Sequence, residues 1–263
     1  MRLYLFVFML CAAPEGAAQG VDLYEVDILR ATFSETVSSA TVEEEYSLWV
    51  CRDALIRLRA IESASEELKS QYFVYADRNP ARQRMLVAYL DVVSGLVHPI
   101  GWDRISTGNP KRTGHFVTPT GVFANSTHTV GYRALGTKNS RGWRGLGAKG
   151  SRVWDFGWQW TDHHYAHHSE QREIRLLMHA TDPTAGELRL GKVDSKGCVR
   201  ISAKLNTFLD CFGILDCDYE QEADQFSWLL KDTRQPVHSA GRYLVVGDSQ
   251  YLEELPLIVK TPL

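Results

Sequence analysis

The stretch SKGCVR, residues 195–200, decides how this chain is interpreted. Cys198 follows a glycine, where the backbone can turn sharply and expose both the sulfur and the backbone N–H of the cysteine. A thiol nucleophile also needs a base that takes its proton and donors that face the developing oxyanion. His179 ends a predicted strand at residues 174–178 and is the candidate base. The pattern predicts a Cys–His nucleophile pair, and a disulfide-bonded Cys198 with a core histidine is the alternative.

A second motif lies upstream in two pieces, ISTG at residues 105–108 and TPTGVF at residues 118–123. With His179 and the stretch 195–200, in this order, it closely resembles the signature of the L,D-transpeptidase (YkuD-type) catalytic domain. The resemblance covers residues 72–212. It implies an α+β, mainly β fold: a β-sandwich-like catalytic domain with a helix after the catalytic strand, here joined to an N-terminal helical appendage.

The resemblance implies acyl transfer on the stem peptides of peptidoglycan. Cys198 attacks the carbonyl of the third residue, D-Ala leaves, and an amine of another stem resolves the thioester into a 3→3 cross-link. His179 is the general base, and the backbone carbonyl of Ala180 orients its second nitrogen. The backbone N–H groups of Gly197 and Cys198 are the candidate oxyanion hole. No cofactor or metal takes part in this chemistry.

Three neighbours of the thiol are assigned to substrate binding: Ser195, Lys196 and Arg200. On a strand, Arg200 points to the same side as Cys198, where it could hold a stem carboxylate; a structural ion pair is the alternative. Lys196 stands where many members of the family carry histidine. Its charge is expected to lower the pKa of the thiol.

Two other functions stay open on the sequence alone. The same Cys–His site could act as a hydrolase or amidase on stem-peptide or wall-protein linkages, with water as the acceptor. Alternatively, the chain is a non-catalytic wall-binding protein in which Cys198 forms a disulfide.

The N-terminus has the composition of a signal peptide. Arg2 precedes an apolar run at residues 3–13, and small residues allow cleavage after Ala18. We therefore expect export across the inner membrane to the periplasm or cell wall, without stable membrane insertion after cleavage. The predicted organisation is a signal peptide (1–18), an N-terminal helical segment (19–70), a catalytic domain (71–250) and a C-terminal tail (251–263).

Charge is distributed unevenly along the chain. The net charge of −3 gives no drive toward nucleic acid, and we expect no nucleic-acid partner. Residues 104–154 hold nine basic residues and no acidic one. This stretch predicts a positive face that suits the polyanionic cell wall, unless the cations are spread over several faces.

The remaining patterns predict local structure. Residues 41–70 read as one helix, capped by Thr41, with an apolar face of Leu48, Cys51, Leu55 and Leu58. Strands are predicted at 72–75, 85–89, 96–100, 174–178 and 243–246, and a helix between Ser202 and Gly213. Residues 135–160 read as a Gly- and Trp-rich connection.

Two further groups carry predictions of their own. An exported chain meets an oxidising compartment, so Cys211 and Cys217 are predicted to pair while Cys51 stays reduced. The cluster His163-His164-x-x-His167-His168 is interpreted as a solvated or substrate-facing lid, with metal binding as the less favoured alternative.

Overall fold

The computed structural model describes residues 23–62, 67–140, 142–165 and 168–250. The predicted signal peptide, the C-terminal tail and part of the histidine cluster lie outside these residues. The fold is mixed α and β with more strand than helix, 31% against 24%, as the predicted class requires. Within the described ranges, no helix has the length and apolar character needed to cross a membrane.

The helices and strands alternate in blocks along the chain. The α-helices are α1 (Leu23–Thr36), α2 (Glu44–Glu62), α3 (Ala203–Cys211) and α4 (Cys217–Gln221), and a short 3₁₀ helix spans Glu187–Arg189. The strands are β1 (Gln71–Asp77), β2 (Arg84–Asp91), β3 (Leu96–Arg104), β4 (His115–Phe116), β5 (Gly121–Ala124), β6 (Tyr132–Arg133), β7 (Arg152–Tyr165), β8 (His168–Ala180), β9 (Val199–Ile201) and β10 (Tyr243–Gly247). The five strands predicted from the sequence are confirmed.

The strands form two five-stranded sheets. The first has the order β3-β2-β1-β10-β5, in which β1 and β10 run parallel. The second has the order β4-β7-β8-β9, with β6 also paired to β7. The β8–β9 pair is parallel, and it aligns His179 with Arg200. This pairing brings two segments that are distant in sequence to one sheet edge.

One hydrophobic core fills the space between the two sheets. Val74 and Val87 of the first sheet and Met178 of the second are fully buried in it. Helices α1 and α3 close the same core, where the rings of Phe33 and Phe208 meet edge to face at 5.1 Å. Burying large apolar side chains is the main stabilising contribution to such a core, about 1.5–3 kcal/mol for each one.

Helix α2 covers the opposite face of the first sheet, but it differs from the prediction. It begins at Glu44, three residues after the predicted cap Thr41. Its buried face is formed by Val50, Ala54 and Leu58, whereas Leu48 is 64% exposed. The predicted face was therefore right in part: Leu58 is buried, and Cys51 and Leu55 pack against the same cluster. The buried face also includes Asp53, an acidic residue that apolar periodicity does not count. Its carboxylate accepts hydrogen bonds from the Tyr75 hydroxyl at 2.7 Å and from Arg57 at 2.6 Å.

The predicted Trp-rich connection at residues 135–160 was wrong for its second half, which belongs to β7. Three of its tryptophans, Trp154, Trp158 and Trp160, lie on this strand. Its register shifts between Asp155 and Trp158, where Gly157 adopts a φ of +76°. This irregularity breaks the alternation of buried and exposed side chains, which is the sequence signal for a strand.

The predicted cap of α3 is confirmed, and the predicted disulfide is wrong. The Ser202 hydroxyl accepts a hydrogen bond from the Leu205 N–H at 3.0 Å. Cys211 ends α3 and Cys217 begins α4, and both are free thiols. The Cys217 N–H is fixed by the Gly241 carbonyl at 3.1 Å, and its sulfur accepts from Gln221. Cys217 is thus held by Gln221 of its own helix and by Gly241 in the segment that precedes β10.

The cations of residues 104–154 do not gather on one face. Four of them form ion pairs with carboxylates that follow in sequence: Arg112–Asp194, Arg133–Asp210, Arg144–Asp182 and Arg152–Asp216. The last pair is fully buried. The positive charge of this stretch is therefore smaller than its sequence indicates, because the compensating carboxylates lie elsewhere in the sequence.

Candidate active site

The parallel pairing of β8 and β9 determines on which face of the sheet the two predicted catalytic residues lie. Met178 and Val199 are aligned, and both point into the core. Since side chains alternate along a strand, Cys198 and His179 belong to the opposite, outer face of the second sheet. The thiol lies at the start of β9, beside the edge of β8, and its closest carbonyl is that of Arg175 at 3.9 Å. Sheet geometry therefore assigns thiol and imidazole to the same face.

The imidazole of His179 is oriented as the resemblance implies. Its Nδ1 lies 2.8 Å from the Ala180 carbonyl oxygen. A carbonyl only accepts hydrogen bonds, so Nδ1 carries the proton and Nε2 is left with its lone pair. Burial and, to a smaller extent, the charge of Arg200 lower the pKa of His179 to about 4, against the hydrogen bond to Ala180, which raises it. The ring is therefore neutral at pH 7 and able to accept a proton at Nε2.

Cys198 is a free, half-buried thiol. Burial raises its pKa, and the nearby charge of Asp155 raises it further. A hydrogen bond from the Leu177 backbone and the charge of Arg200 act in the opposite direction. The net effect is upward, so the resting site contains a protonated thiol and, on the same face of the sheet, a neutral imidazole. Such a pair needs proton transfer during attack on a substrate, which is the task of a general base.

The effect expected of Lys196 on the pKa of the thiol is wrong, whereas its assignment to substrate binding stays a prediction. Its side chain is exposed, and the cation that lowers the pKa of the thiol is Arg200. Lys196 acts on His115 instead: burial lowers the pKa of His115, and the charges of Arg112 and Lys196 lower it further.

Ser195 and Gly197 shape the loop that carries the thiol. The Ser195 hydroxyl donates to the Cys198 carbonyl at 2.6 Å and accepts from the Gly197 N–H at 2.9 Å. Ser195 is buried, and its hydroxyl is used within the loop. The Gly197 N–H donates to that hydroxyl. The assignments of Ser195 to substrate binding and of Gly197 to the oxyanion hole stay predictions. Gly197 is required for another reason: its φ is +132°, and a Cβ there would lie 2.3 Å from Ile174.

The two sequence motifs meet at this loop. The Thr118 hydroxyl accepts from the Gly108 N–H at 2.8 Å and donates to the Gly197 carbonyl at 2.7 Å. Gly108 also pairs with Ser195, and a Cβ on Gly108 would lie 2.0 Å from a backbone oxygen. ISTG and TPTGVF thus form the support on which SKGCVR rests.

Arg200 takes part in an ion pair, which was the alternative to direct substrate binding. Its Nη2 donates to Asp194 at 2.8 Å, and the side chain is 15% exposed. Arg189 and Arg112 reach the same carboxylate.

Sequence reasoning missed three residues near the thiol: Tyr132, Asp155 and Arg175. Burial raises the pKa of Tyr132, and the charges of Asp155 and Cys198 raise it further, which puts the phenol close to the sulfur. The Arg175 guanidinium donates to both oxygens of the buried Asp155 carboxylate at 2.9 and 3.0 Å. They lie on three different strands, β6, β7 and β8, and no motif marks them in the sequence.

Of the histidine cluster, the structure describes His163 and His164 at the end of β7 and His168 at the start of β8, whereas His167 lies outside the described residues. His163 is buried, and its ring lies 4.3 Å from that of Phe116. It is therefore a packing residue, in contrast to the predicted lid. In the part of the chain that the structure describes, no group of three or more His, Cys, Asp or Glu residues is arranged to hold a metal ion.

No protein-family model matches the chain, and no curated protein sequence is significantly similar to it. The inference of function therefore depends on the residues of this site and on their geometry.

Replacing Thr118 by valine is expected to destabilise the protein by about 1–3 kcal/mol, because two buried backbone groups lose their partner. Urea unfolding at pH 7 measures the loss. Thr118→Ser keeps the hydroxyl and serves as the control. Equal midpoints for the valine variant and the wild type would contradict this role of Thr118.

The low pKa of His179 also predicts a loss of stability in acid. The unfolded chain binds a proton near pH 6.5, whereas the folded chain resists it until about pH 4. Stability is therefore complete above pH 6.5 and falls as the pH drops toward 4, by about 3 kcal/mol in total. Urea unfolding of the wild type and of His179→Gln at pH 7 and pH 4.5 isolates this contribution. Parallel pH dependences of the two proteins would exclude it.

Proposed function

We propose that this chain is a cysteine acyltransferase of the L,D-transpeptidase type, exported to the periplasm or cell wall, where it acts on peptidoglycan stem peptides. The observation that carries the proposal is the β8–β9 pairing, together with the hydrogen bond from the His179 ring to the Ala180 carbonyl. It combines a thiol and an oriented neutral imidazole on one face of a sheet.

The proposed reaction begins with attack of the Cys198 sulfur on the carbonyl of the third stem residue. His179 Nε2 takes the thiol proton as the S–C bond forms, and then gives it to the amine of the departing D-Ala as the C–N bond breaks. The product is a thioester. An amine from a second stem then attacks the thioester, and His179 takes a proton from that amine as the new C–N bond forms. The C–S bond breaks, His179 gives the proton to the departing sulfur, and the thiol is restored.

Two observations support this chemistry over the non-catalytic alternative. Cys198 is a free thiol. The loop around it requires glycine at positions 108 and 197, where a Cβ would collide with neighbouring atoms. Both glycines form backbone hydrogen bonds with the Thr118 hydroxyl. A hydrolase would use the same residues with water as the acceptor.

Mass analysis of disaccharide-tetrapeptides incubated with the purified protein tests the proposal. Cross-linked dimers that have lost one D-Ala are expected. Shortened monomers alone would assign hydrolysis, and unchanged substrate in folded protein would overturn both enzymatic functions. The Cys198→Ala variant shows whether any product depends on the thiol.

A carbapenem should acylate the same thiol, since the resemblance implies that this inhibitor class is recognised. The sulfur adds to the lactam carbonyl while the ring C–N bond opens, so no atom leaves and the protein gains the whole mass of the drug. Intact-protein mass under reducing conditions is expected to show one adduct on the wild type. Cys198→Ala, which retains Cys51, Cys211 and Cys217, should show none. An adduct of equal extent on both proteins would locate the reactivity elsewhere.

A further inference from the structure

Three arginines converge on a single carboxylate beside the candidate active site. Arg200 reaches Asp194 at 2.8 Å and Arg112 reaches it at 3.7 Å, while Arg189 forms a short contact with the same carboxylate. Asp194 is 12% exposed. Three guanidinium charges against one carboxylate leave this group, which we call the Asp194 cluster, with a net charge of +2.

The charges of the Asp194 cluster are not equally accessible. Arg200 is 15% exposed and serves to neutralise Asp194 from the protein side. Arg112 and Arg189 are 51% and 42% exposed. The two outer guanidiniums therefore present positive charge to solvent, because the single carboxylate of Asp194 cannot neutralise all three arginines.

The outer guanidiniums are held in place before any ligand arrives. Arg189 shares Asp194 with Arg200 and also packs over the ring of Trp143, with its central carbon 5.0 Å from the ring centroid. The Asp194 backbone N–H donates to the Thr107 carbonyl at 3.1 Å, which ties the backbone of Asp194 to the ISTG segment. A guanidinium that is oriented in advance loses less entropy when it binds a planar anion.

The Asp194 cluster adjoins the thiol. Arg200 is two residues beyond Cys198 on the same face of its strand, which separates the two by about 7 Å. Arg200 is also aligned with His179. A substrate whose carbonyl reaches Cys198 would therefore extend over Arg189 and Arg112 on one side.

We infer that Arg112 and Arg189 of the Asp194 cluster form a carboxylate-binding subsite for the substrate that acylates Cys198. This inference rests on the proposed function, in which the substrate is a stem peptide that carries several free carboxylates. Planar guanidiniums suit carboxylates because two parallel N–H donors match the two oxygens. By binding one carboxylate of the peptide, the subsite determines which of its carbonyl groups lies at the Cys198 thiol.

Binding to the Cys198→Ala protein tests the subsite independently of catalysis. The probes are a stem tetrapeptide with diaminopimelate as the third residue and three analogues, each with one carboxylate replaced by a carboxamide. Isothermal titration is expected to show that one of the amides binds about tenfold more weakly, a normal effect for a charge-assisted hydrogen bond at a partly exposed site. High salt should reduce this difference.

The arginine variants decide the outcome. In Cys198→Ala/Arg189→Gln and Cys198→Ala/Arg112→Gln, the tenfold preference is expected to fall to about twofold or less. Cys198→Ala/Arg30→Gln is the matched control, since Arg30 on α1 is 47% exposed and also paired with an aspartate. Urea unfolding confirms that each variant is folded, and either arginine variant alone suffices for the test.

Three results would overturn the inference: no binding of any tetrapeptide, equal binding of all four peptides, or an unchanged preference in both folded arginine variants. Failure of the proposed function is a separate result. In that case the tetrapeptide binds to Cys198→Ala with the expected preference, yet the wild-type protein forms neither a thioester nor a product.

Discussion

Replacing Cys198 by alanine is expected to abolish acyl transfer and to leave the protein folded. The sulfur is the proposed nucleophile, and no second group near it can form the thioester. Its structural contacts are slight: a 3.9 Å approach to the Arg175 carbonyl and a hydrogen bond from the Leu177 backbone. Stability should therefore change by about 1 kcal/mol or less.

Product mass and urea unfolding measure the two parts of this prediction. Cys217→Ala is the matched control, because Cys217 is also a half-buried free thiol and belongs to α4, away from the β8–β9 edge. It should retain full turnover. Measurable cross-linking or hydrolysis by the folded Cys198→Ala variant would show that another residue is the nucleophile.

The sequence predicted best those parts of the fold that have a strong local signal. The β1, β2 and β10 strands are short runs of aromatic and branched residues, and α3 has a capping serine with regularly spaced Leu and Phe side chains. The buried face of α2 was predicted only in part, because Asp53 is buried through its hydrogen bond to the Tyr75 hydroxyl of β1, a contact that the helix pattern cannot include. Strand β7 was missed because its irregularity at Gly157 interrupts the alternation.

In the candidate site too, the residues of a local motif were predicted, whereas their hydrogen bonds were predicted only in part. His179, Cys198 and the Ala180 carbonyl follow from a motif with fixed spacing, and the hydrogen bond expected between His179 and Ala180 is present. The hydrogen bonds of Ser195 and Gly197 within the loop could not be predicted, because a motif identifies which residues occur together without stating which hydrogen bonds they make. The Ser195 hydroxyl uses both its donor and its acceptor within the loop.

Long-range charge pairing was the least predictable feature. Arg200 and Lys196 have similar positions in the sequence, yet Arg200 acts on the thiol and Lys196 on His115. Asp194 draws together Arg112, Arg189 and Arg200 from three separate segments. Such pairs form only after β4, β9 and the 3₁₀ helix have been brought together, so the sequence alone does not reveal them.

Replacing His179 by glutamine is expected to lower the rate of acylation by at least about a hundredfold, the usual contribution of a general base. Glutamine can still donate a hydrogen bond to the Ala180 carbonyl, but it cannot accept a proton from the thiol. Since burial raises the pKa of Cys198, little thiolate is present at pH 7 to react without a base. Mass spectrometry of the carbapenem adduct over time gives the rate for wild type and variant.

The pH dependence separates a base from a merely structural histidine. In the wild type, the pKa of about 4 keeps His179 neutral through the weakly acidic range, so acylation should persist to about pH 5. In His179→Gln, reaction depends on preformed thiolate and should rise about tenfold for each unit of pH below the pKa of the thiol. The two rates should therefore converge in alkaline solution. A rate ratio that stays constant from pH 6 to pH 9 would show that His179 supports the site's structure and does not take the proton.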